Sequence, residues 1–442
     1  MLSRTLCGAL TIAFLLVSVA GMAPVAGQTT YEQPAVLRAA DLAPADLLKG
    51  PRFQVDEAVT TDGLLARFSI KSDFGPFEAQ GPGMLAMRVV EIRALDILST
   101  VEKSDVFKKS LEESAKRTGR SLATAVTNPV ETVEKVPEGV GRFFERVGRA
   151  VKTGAQKAGD ALGEMQGQPG GTTSSGVATV AGHAAADSGE SVIGYDDARR
   201  RVAKELKVDP YTTNAVLGKK LDEVAWAAWG GDFGLSTAVS LVPGGSAVMF
   251  TKNWVSDLVW DVGPGDLRVR MDKQLQAMVV SQEVIDQFLR QRHFTLTIQL
   301  MLVEALATLP PSAGRAAVIP WALTAESETQ ARFMAGAVAI LAEYHRTVAP
   351  VARLRIAGTL LGDTERGALV VPAPVDYLSW TERVAAFANR PEVAAAKDRQ
   401  LWLTGRLSPR ARQELTGRGW SIREGVAAGI VRVGGPAELD KK

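Results

Sequence analysis

Few residues in this chain have the types and spacing that chemistry requires, and most of the search for a reaction ends in exclusions. The three histidines are His183, His293 and His345. None belongs to an H-E-x-x-H pair or to another two-ligand spacing, so a histidine metal site has no support. His345 continues an apolar helical stripe through Val338 and Leu341, as a core-edge histidine would. The single cysteine, Cys7, precedes an apolar N-terminal run expected to be removed. The mature chain would then lack a thiol for a disulfide, a metal or a nucleophile. Gly244-Gly245-Ser246-Ala247 lacks the second glycine of a nucleophile elbow. Gly218-Lys219-Lys220 lacks the upstream glycine and the Ser/Thr of a phosphate loop. No catalytic residue, metal ligand or cofactor is therefore expected.

Two stretches remain. In WVSDLVWDVGPGD, Trp254, Asp257, Trp260 and Asp261, with Asp266 nearby, combine acids and aromatics that could line a carbohydrate or cation site. A helix end followed by a Pro/Gly loop with solvated acids is the plainer account of the same residues. The second stretch runs from Val133 to Leu162. Val140, Phe144, Val147, Val151, Ala155, Ala158 and Leu162 recur at steps of three and four, on one helical face. Arg142, Arg146, Arg149, Lys152 and Lys157 fall on the others. A basic amphipathic helix of this kind can lie on an anionic membrane surface or pack on protein. Its expected contact residues are Arg142, Phe143, Phe144, Arg146, Val147, Arg149, Val151 and Lys152. Phe143 and Phe144 are its only bulky groups, which favours packing on protein over lipid.

The totals set bounds on partners and compartment. The chain has 442 residues and a formal charge of +2. A near-neutral chain argues against a dedicated nucleic-acid binder. The hydrophobic fraction of 46% allows a sizeable core without disulfides. Met1 to Gly27 reads as a secretory signal: Arg4 is followed by an apolar run from Leu10 to Ala20, and Val25-Ala26-Gly27 suits cleavage before Gln28. The run is shorter than the ~20 residues a membrane span needs. The expected location is outside the cytoplasm, in the periplasm or cell envelope.

The elements around these stretches follow from periodicity. Phe53, Val55 and Val59 alternate with polar residues, Asp62-Gly63 signals a turn, and Leu64, Ala66, Phe68 and Ile70 alternate again. Phe77 and Ala79 suggest a short third strand. Leu85, Val89, Ile92 and Leu95 form the stripe of a covering helix that should run on towards Ala125. Asn128-Pro129-Val130-Glu131 restarts a helix, and Gly163 to Glu190 reads as a Gly/Ser-rich linker. Helices are expected over Tyr195–Leu206, Ala215–Trp229, Gln282–Gln291 and Thr295–Leu309, and after the Ser327/Gln330 cap. The uncharged run Phe233 to Phe250 is broken by Pro243-Gly244-Gly245 and reads as two buried segments. Near the C-terminus, Leu354/Ile356, Ala368–Val371, Leu401–Leu403 and Trp420–Ile422 read as strands. Gly362–Gly367 reads as a turn, Ser379/Glu382 as a capping box, and Ser408-Pro409 as a helix start.

The expected fold is α+β and predominantly α-helical. It comprises a signal (1–27), a hairpin-plus-helix unit (28–127), an amphipathic arm (128–162) and a linker (163–190). A helical domain (191–349) and a small mixed α/β region (350–442) complete it. The expected function is non-enzymatic: an exported protein acting on a protein partner or an anionic membrane surface. The competing expectation is a hydrolase or small-ligand binder with its pocket near Trp254, Trp260 and Asp261.

Overall fold

The computed structural model describes residues 30–118, 186–230, 254–309, 311 and 313–426. The first sheet is built from β1 (Val36–Arg38), the short helix α1 (Ala45–Leu48), β2 (Lys49–Gly50), β3 (Phe53–Val55), β4 (Ala58–Thr61), β5 (Ala66–Ser72) and β6 (Gly75–Gln80). Its spine is β5, antiparallel to β3, β4 and β6. Along β5, Ala66, Phe68 and Ile70 are buried while Arg67, Ser69 and Lys71 face water. This period of two is that of a sheet with one covered face.

The cover is α2 (Pro82–Val101). It buries Leu85, Ala86, Val89 and Ile92 against the sheet, and Val90, Ala94, Leu98 and Val101 against further helices. The expected continuation towards Ala125 breaks at Ser104. The Ser104 hydroxyl accepts the Phe107 N–H at 3.2 Å and caps α3 (Asp105–Thr118). Beside α2 and α3 lie α4 (Ala186–Leu206) and α5 (Ala215–Gly230), which close a shared core of Val202, Leu217, Leu221 and Val224. α4 begins inside the last residues assigned to the linker. The rest of that linker, the arm 128–162 and the run Phe233 to Phe250 lie outside the described residues.

The helical layer continues through α6 (Trp254–Asp261), α7 (Pro264–Ala277), α8 (Gln282–Leu289), α9 (Leu296–Thr308), α10 (Val318–Ala322) and α11 (Glu328–Thr347). Thr295 and Ser327 cap α9 and α11 with their hydroxyls. The turn after α7 follows the Schellman pattern: Val279 N–H bonds Gln276 and Val280 N–H bonds Leu275. Val279 takes φ +62° there, where glycine is usual.

The chain ends in a second sheet. Its elements are β7 (Val351–Ile356), β8 (Leu360–Thr364), β9 (Ala368–Ala373), β10 (Tyr377–Leu378), α12 (Glu382–Ala388), α13 (Pro391–Ala394), β11 (Asp398–Leu403), β12 (Arg406–Leu407), α14 (Pro409–Gly417) and β13 (Trp420–Arg423). The strand order is β13-β11-β9-β8-β7. β7, β8 and β9 form an antiparallel meander, while β9, β11 and β13 run parallel through helical crossovers. One face, with Leu354, Leu360, Val370 and Trp402, joins the core that contains α11. Leu361, Leu369, Val371, Leu401 and Leu403 on the other meet α12, α13 and α14. Ala313 closes the β7 edge by bonding to Ala352 and Leu354. Gly314 must be glycine beside it, because its φ is +85° and a Cβ would stand 2.1 Å from the Leu354 carbonyl oxygen.

The expectation of a predominantly helical protein is corrected. The structure is 53% helical and 20% strand, and it contains antiparallel and mixed sheets. The sequence pattern under-reads the strands for two reasons. The first sheet uses strands as short as two and three residues. In the second, β9 is buried at every position, so no alternation marks it. Gly362 belongs to β8 rather than to a turn. Ser379 does not cap α12; Thr381 does.

Candidate functional site

In sheets with parallel strands, ligands are usually held by the loops that follow the carboxyl ends of those strands. Here those loops leave Ala373 of β9 and Leu403 of β11. The β4–β5 turn, residues Asp62 to Leu65, is seated on the loop that follows β9. The Asp376 and Tyr377 N–H groups donate to the Leu64 carbonyl at 2.9 and 3.1 Å, and Ser379 N–H donates to that of Gly63 at 2.9 Å. In return Ala66 N–H donates to the Asp376 carboxylate at 2.9 Å. Gly63 fits because it has no side chain: φ is +88°, and a Cβ would stand 2.7 Å from the Thr381 methyl. Gly405 lies so close to Asp376 that a Cβ would meet its carbonyl oxygen at 2.0 Å.

The beginning of the described chain joins the same contact. Glu32 N–H donates to the Trp380 carbonyl at 2.9 Å, and its carboxylate accepts Trp380 N–H and, at 2.6 Å, the Ser408 hydroxyl. Ser408 also caps α14 by accepting Ala411 N–H at 2.9 Å. Arg410 reaches the Thr30 carbonyl at 2.8 Å. Tyr31 and Leu64 pack on the outer core of the second sheet. The position in which such a sheet would hold a ligand is thus occupied by the protein's own N-terminal unit.

A second concentration of polar groups ties α2 to the helical layer. Glu91 is 3% exposed and accepts from Arg88 at 2.6 Å, from Asn214 Nδ2 at 3.0 Å, and from the Thr212 hydroxyl. Asp209 accepts the Tyr211 N–H and the Thr297 hydroxyl, both at 2.8 Å; burial pushes its carboxyl up, against those two bonds. Glu328 accepts from the Thr213 hydroxyl at 2.6 Å and from Arg332 at 2.8 Å. Burial disfavours its charge, but Arg332 and Thr213 outweigh burial and hold the carboxyl below the usual range. Three acids and two arginines thus join α2, the α4–α5 loop, α9 and α11. Their hydrogen bonds are spent within the protein, which suits a structural tie.

The residues singled out in WVSDLVWD sit on α6. Trp260 is half-buried, and its indole N–H donates to the Val208 carbonyl at 2.8 Å. Lys207 Nζ lies 5.6 Å from its ring centre. Asp261 pairs with Lys204, and Asp257 is exposed. The side chain of Trp254 lies outside the described residues, as do Arg142, Phe143, Phe144, Arg146, Val147, Arg149, Val151, Lys152 and His183. His293 contacts Arg292 at 3.0 Å, and His345 Nδ1 accepts the Val351 N–H at 3.1 Å. An open depression of about 450 Å³ lies on α7, lined by Asp266, Val269, Arg270, Lys273 and Gln274.

Sequence reasoning did not single out Asp376 or Glu91, and it read Ser408 only as a helix start. Asp376 and Gly405 follow apolar runs that end parallel strands, which is a usable signal once the strands are known to be parallel. Glu91 stands between Val90 and Ile92, both buried on opposite faces of α2, so a polar residue there has little access to water. No family model, curated protein or solved structure matches this chain.

Proposed function

We propose that this is an exported, non-enzymatic protein of the cell envelope that works by interaction with a partner protein or an anionic membrane surface, through the basic amphipathic segment around Arg142 to Lys152. One observation carries the non-enzymatic reading: the β4–β5 turn and Glu32 fill the carboxyl ends of the parallel strands with the protein's own chain. The N-terminal pattern of Arg4 and a short apolar run supports export. The competing reading, a hydrolase or small-ligand binder around Trp254, Asp257, Trp260 and Asp261, draws less support. Trp260 spends its N–H on Val208, and Asp261 its charge on Lys204.

The test is co-sedimentation of the full mature chain with anionic vesicles at low and high salt. Each Lys or Arg near such a surface contributes about 1 kcal/mol, and the attraction decays within a Debye length. Reversing Arg142, Arg146, Arg149 and Lys152 to Glu should abolish salt-sensitive binding and leave thermal unfolding nearly unchanged. Wild-type protein that ignores the vesicles at low salt removes the membrane arm of the reading. If Phe144→Asp with Val147→Asp then lowers the melting temperature, the segment packs within its own protein, and the proposal fails.

A further inference from the structure

Thr30 to Glu32 lie on the C-terminal unit as a bound peptide would. Glu32 N–H pairs with the Trp380 carbonyl, Tyr31 rests on the outer core, and Arg410 takes the Thr30 carbonyl. The Glu32 carboxylate is captured by one amide, that of Trp380, and by the Ser408 hydroxyl at 2.6 Å. An extended backbone, an aromatic anchor and a captured carboxylate are the elements of peptide recognition. The receiving groups are fixed by bonds of their own. Ser408 is 2% exposed; its N–H donates to the Leu378 carbonyl at 2.9 Å, and its oxygen accepts Ala411 N–H at the amino end of α14, which favours negative charge. Trp380 is also 2% exposed, with the Arg418 guanidinium 4.6 Å from its ring centre. Without Glu32, the Ser408 hydroxyl and the Trp380 N–H are two enclosed donors that need an acceptor.

The strap itself is lightly held. Among the described residues, Glu32 to Trp380 is its one backbone–backbone hydrogen bond. Gln33 and Pro34 behind it are exposed, and β1 is anchored separately: the Thr61 N–H and hydroxyl both donate to the Ala35 carbonyl, at 3.1 and 3.0 Å. The β4–β5 turn, by contrast, exchanges four hydrogen bonds with the loop after β9. A segment of three residues with so few bonds opens at lower cost than that turn. We propose that Trp380, Ser408 and Arg410 form a peptide-binding site that the chain closes in cis with Tyr31 and Glu32, and that its ligand in trans is an extended partner segment in which an aromatic residue is followed by glutamate. The strap competes at high local concentration and lowers the apparent affinity of the site by the fraction closed. The β4–β5 turn stays seated in both states. This surface is separate from the basic segment of the proposed function, and its ligand binds whether or not that segment meets a vesicle.

The test titrates the full chain with a labelled peptide of residues 28–35, QTTYEQPA, read by fluorescence anisotropy. The chain carrying Tyr31→Ser with Glu32→Ala should bind it about tenfold or more tighter than the wild type, because the competing strap is weakened. A peptide with Glu32→Gln should bind that variant about tenfold more weakly, since it loses a charged acceptor. Equal binding by wild type and folded variant, no binding at about 1 mM, or equal binding of the two peptides overturns the site. Wild-type amide exchange, corrected for intrinsic rates, decides the matter if the variant does not fold. Glu32 N–H should exchange about a hundredfold faster than Tyr377 N–H, and added peptide should speed Glu32 alone. If the two amides exchange together, the strap is a fixed part of the joint and the proposal fails.

Discussion

The two sheets of this protein bury their strands differently. In the first, β5 alternates Ala66, Phe68 and Ile70 inward with Arg67, Ser69 and Lys71 outward, because only α2 covers it. In the second, β9 is buried from Ala368 to Ala373, because α11 lies on one face and α12, α13 and α14 on the other. Val370 and Val371 are neighbours in sequence yet belong to different cores. β5 in the first sheet therefore has a tolerant side, and β9 in the second has none.

The largest expected effect tests that contrast directly. Val370→Asp and Val371→Asp should each cost about 5 kcal/mol or more, since each buries an unpaired charge, on opposite faces of one strand. Urea titration of both variants checks this; tolerance of either one would mean that one face of β9 is open. Next comes the first sheet. Phe68→Ala should lose about 3–5 kcal/mol, while Arg67→Thr, one residue away, should stay within about 0.5 kcal/mol. Equal losses from these two would end the claim of a one-sided sheet.

Between the sheets, Glu91→Ala should cost about 3 kcal/mol, because Arg88 and Asn214 would be left enclosed without their acceptor. Glu91→Gln keeps one oxygen and should cost less. Thermal unfolding with separate probes, Trp402 in the second sheet and Trp226 of α5, which packs on Tyr195 of α4, would show whether the loss spreads beyond α2. The smallest effect lies outside both sheets. Val279 is 86% exposed and holds φ +62°, so Val279→Gly should gain about 0.5 kcal/mol after the flexibility of glycine in the unfolded chain is counted. A loss of stability there would mean that the Val279 side chain makes a contact its exposure does not suggest.

Legibility follows the same division. The alternation along β5 is visible in the sequence because one face of that strand meets water, and the stripe of Leu85, Val89 and Ile92 because it recurs at helical spacing. The caps at Ser327 and Ser408 are visible too, since a cap needs only neighbours three residues away. Ser379 shows the limit of such local reading. It stands three residues before Glu382, as a capping box requires, yet its N–H is drawn to the carbonyl of Gly63 in another sheet, and Thr381 caps the helix instead. The joint around Asp376 was not legible, because its partners Ala66 and Asp62 are some three hundred residues away, at a separation of 310 for Ala66.

By itself the sequence determined which segments are helices or strands with one wet face, where several of them begin, and that Cys7 is the only thiol. These depend on residue type and on neighbours within a turn or two of the chain. Tertiary structure alone decided that β9, β11 and β13 run parallel, that Val370 and Val371 serve separate cores, and that the β4–β5 turn occupies the loop after β9. The reason is physical: a strand buried on both faces carries no periodic signal, and a hydrogen bond across hundreds of residues leaves no mark on the local pattern of either partner.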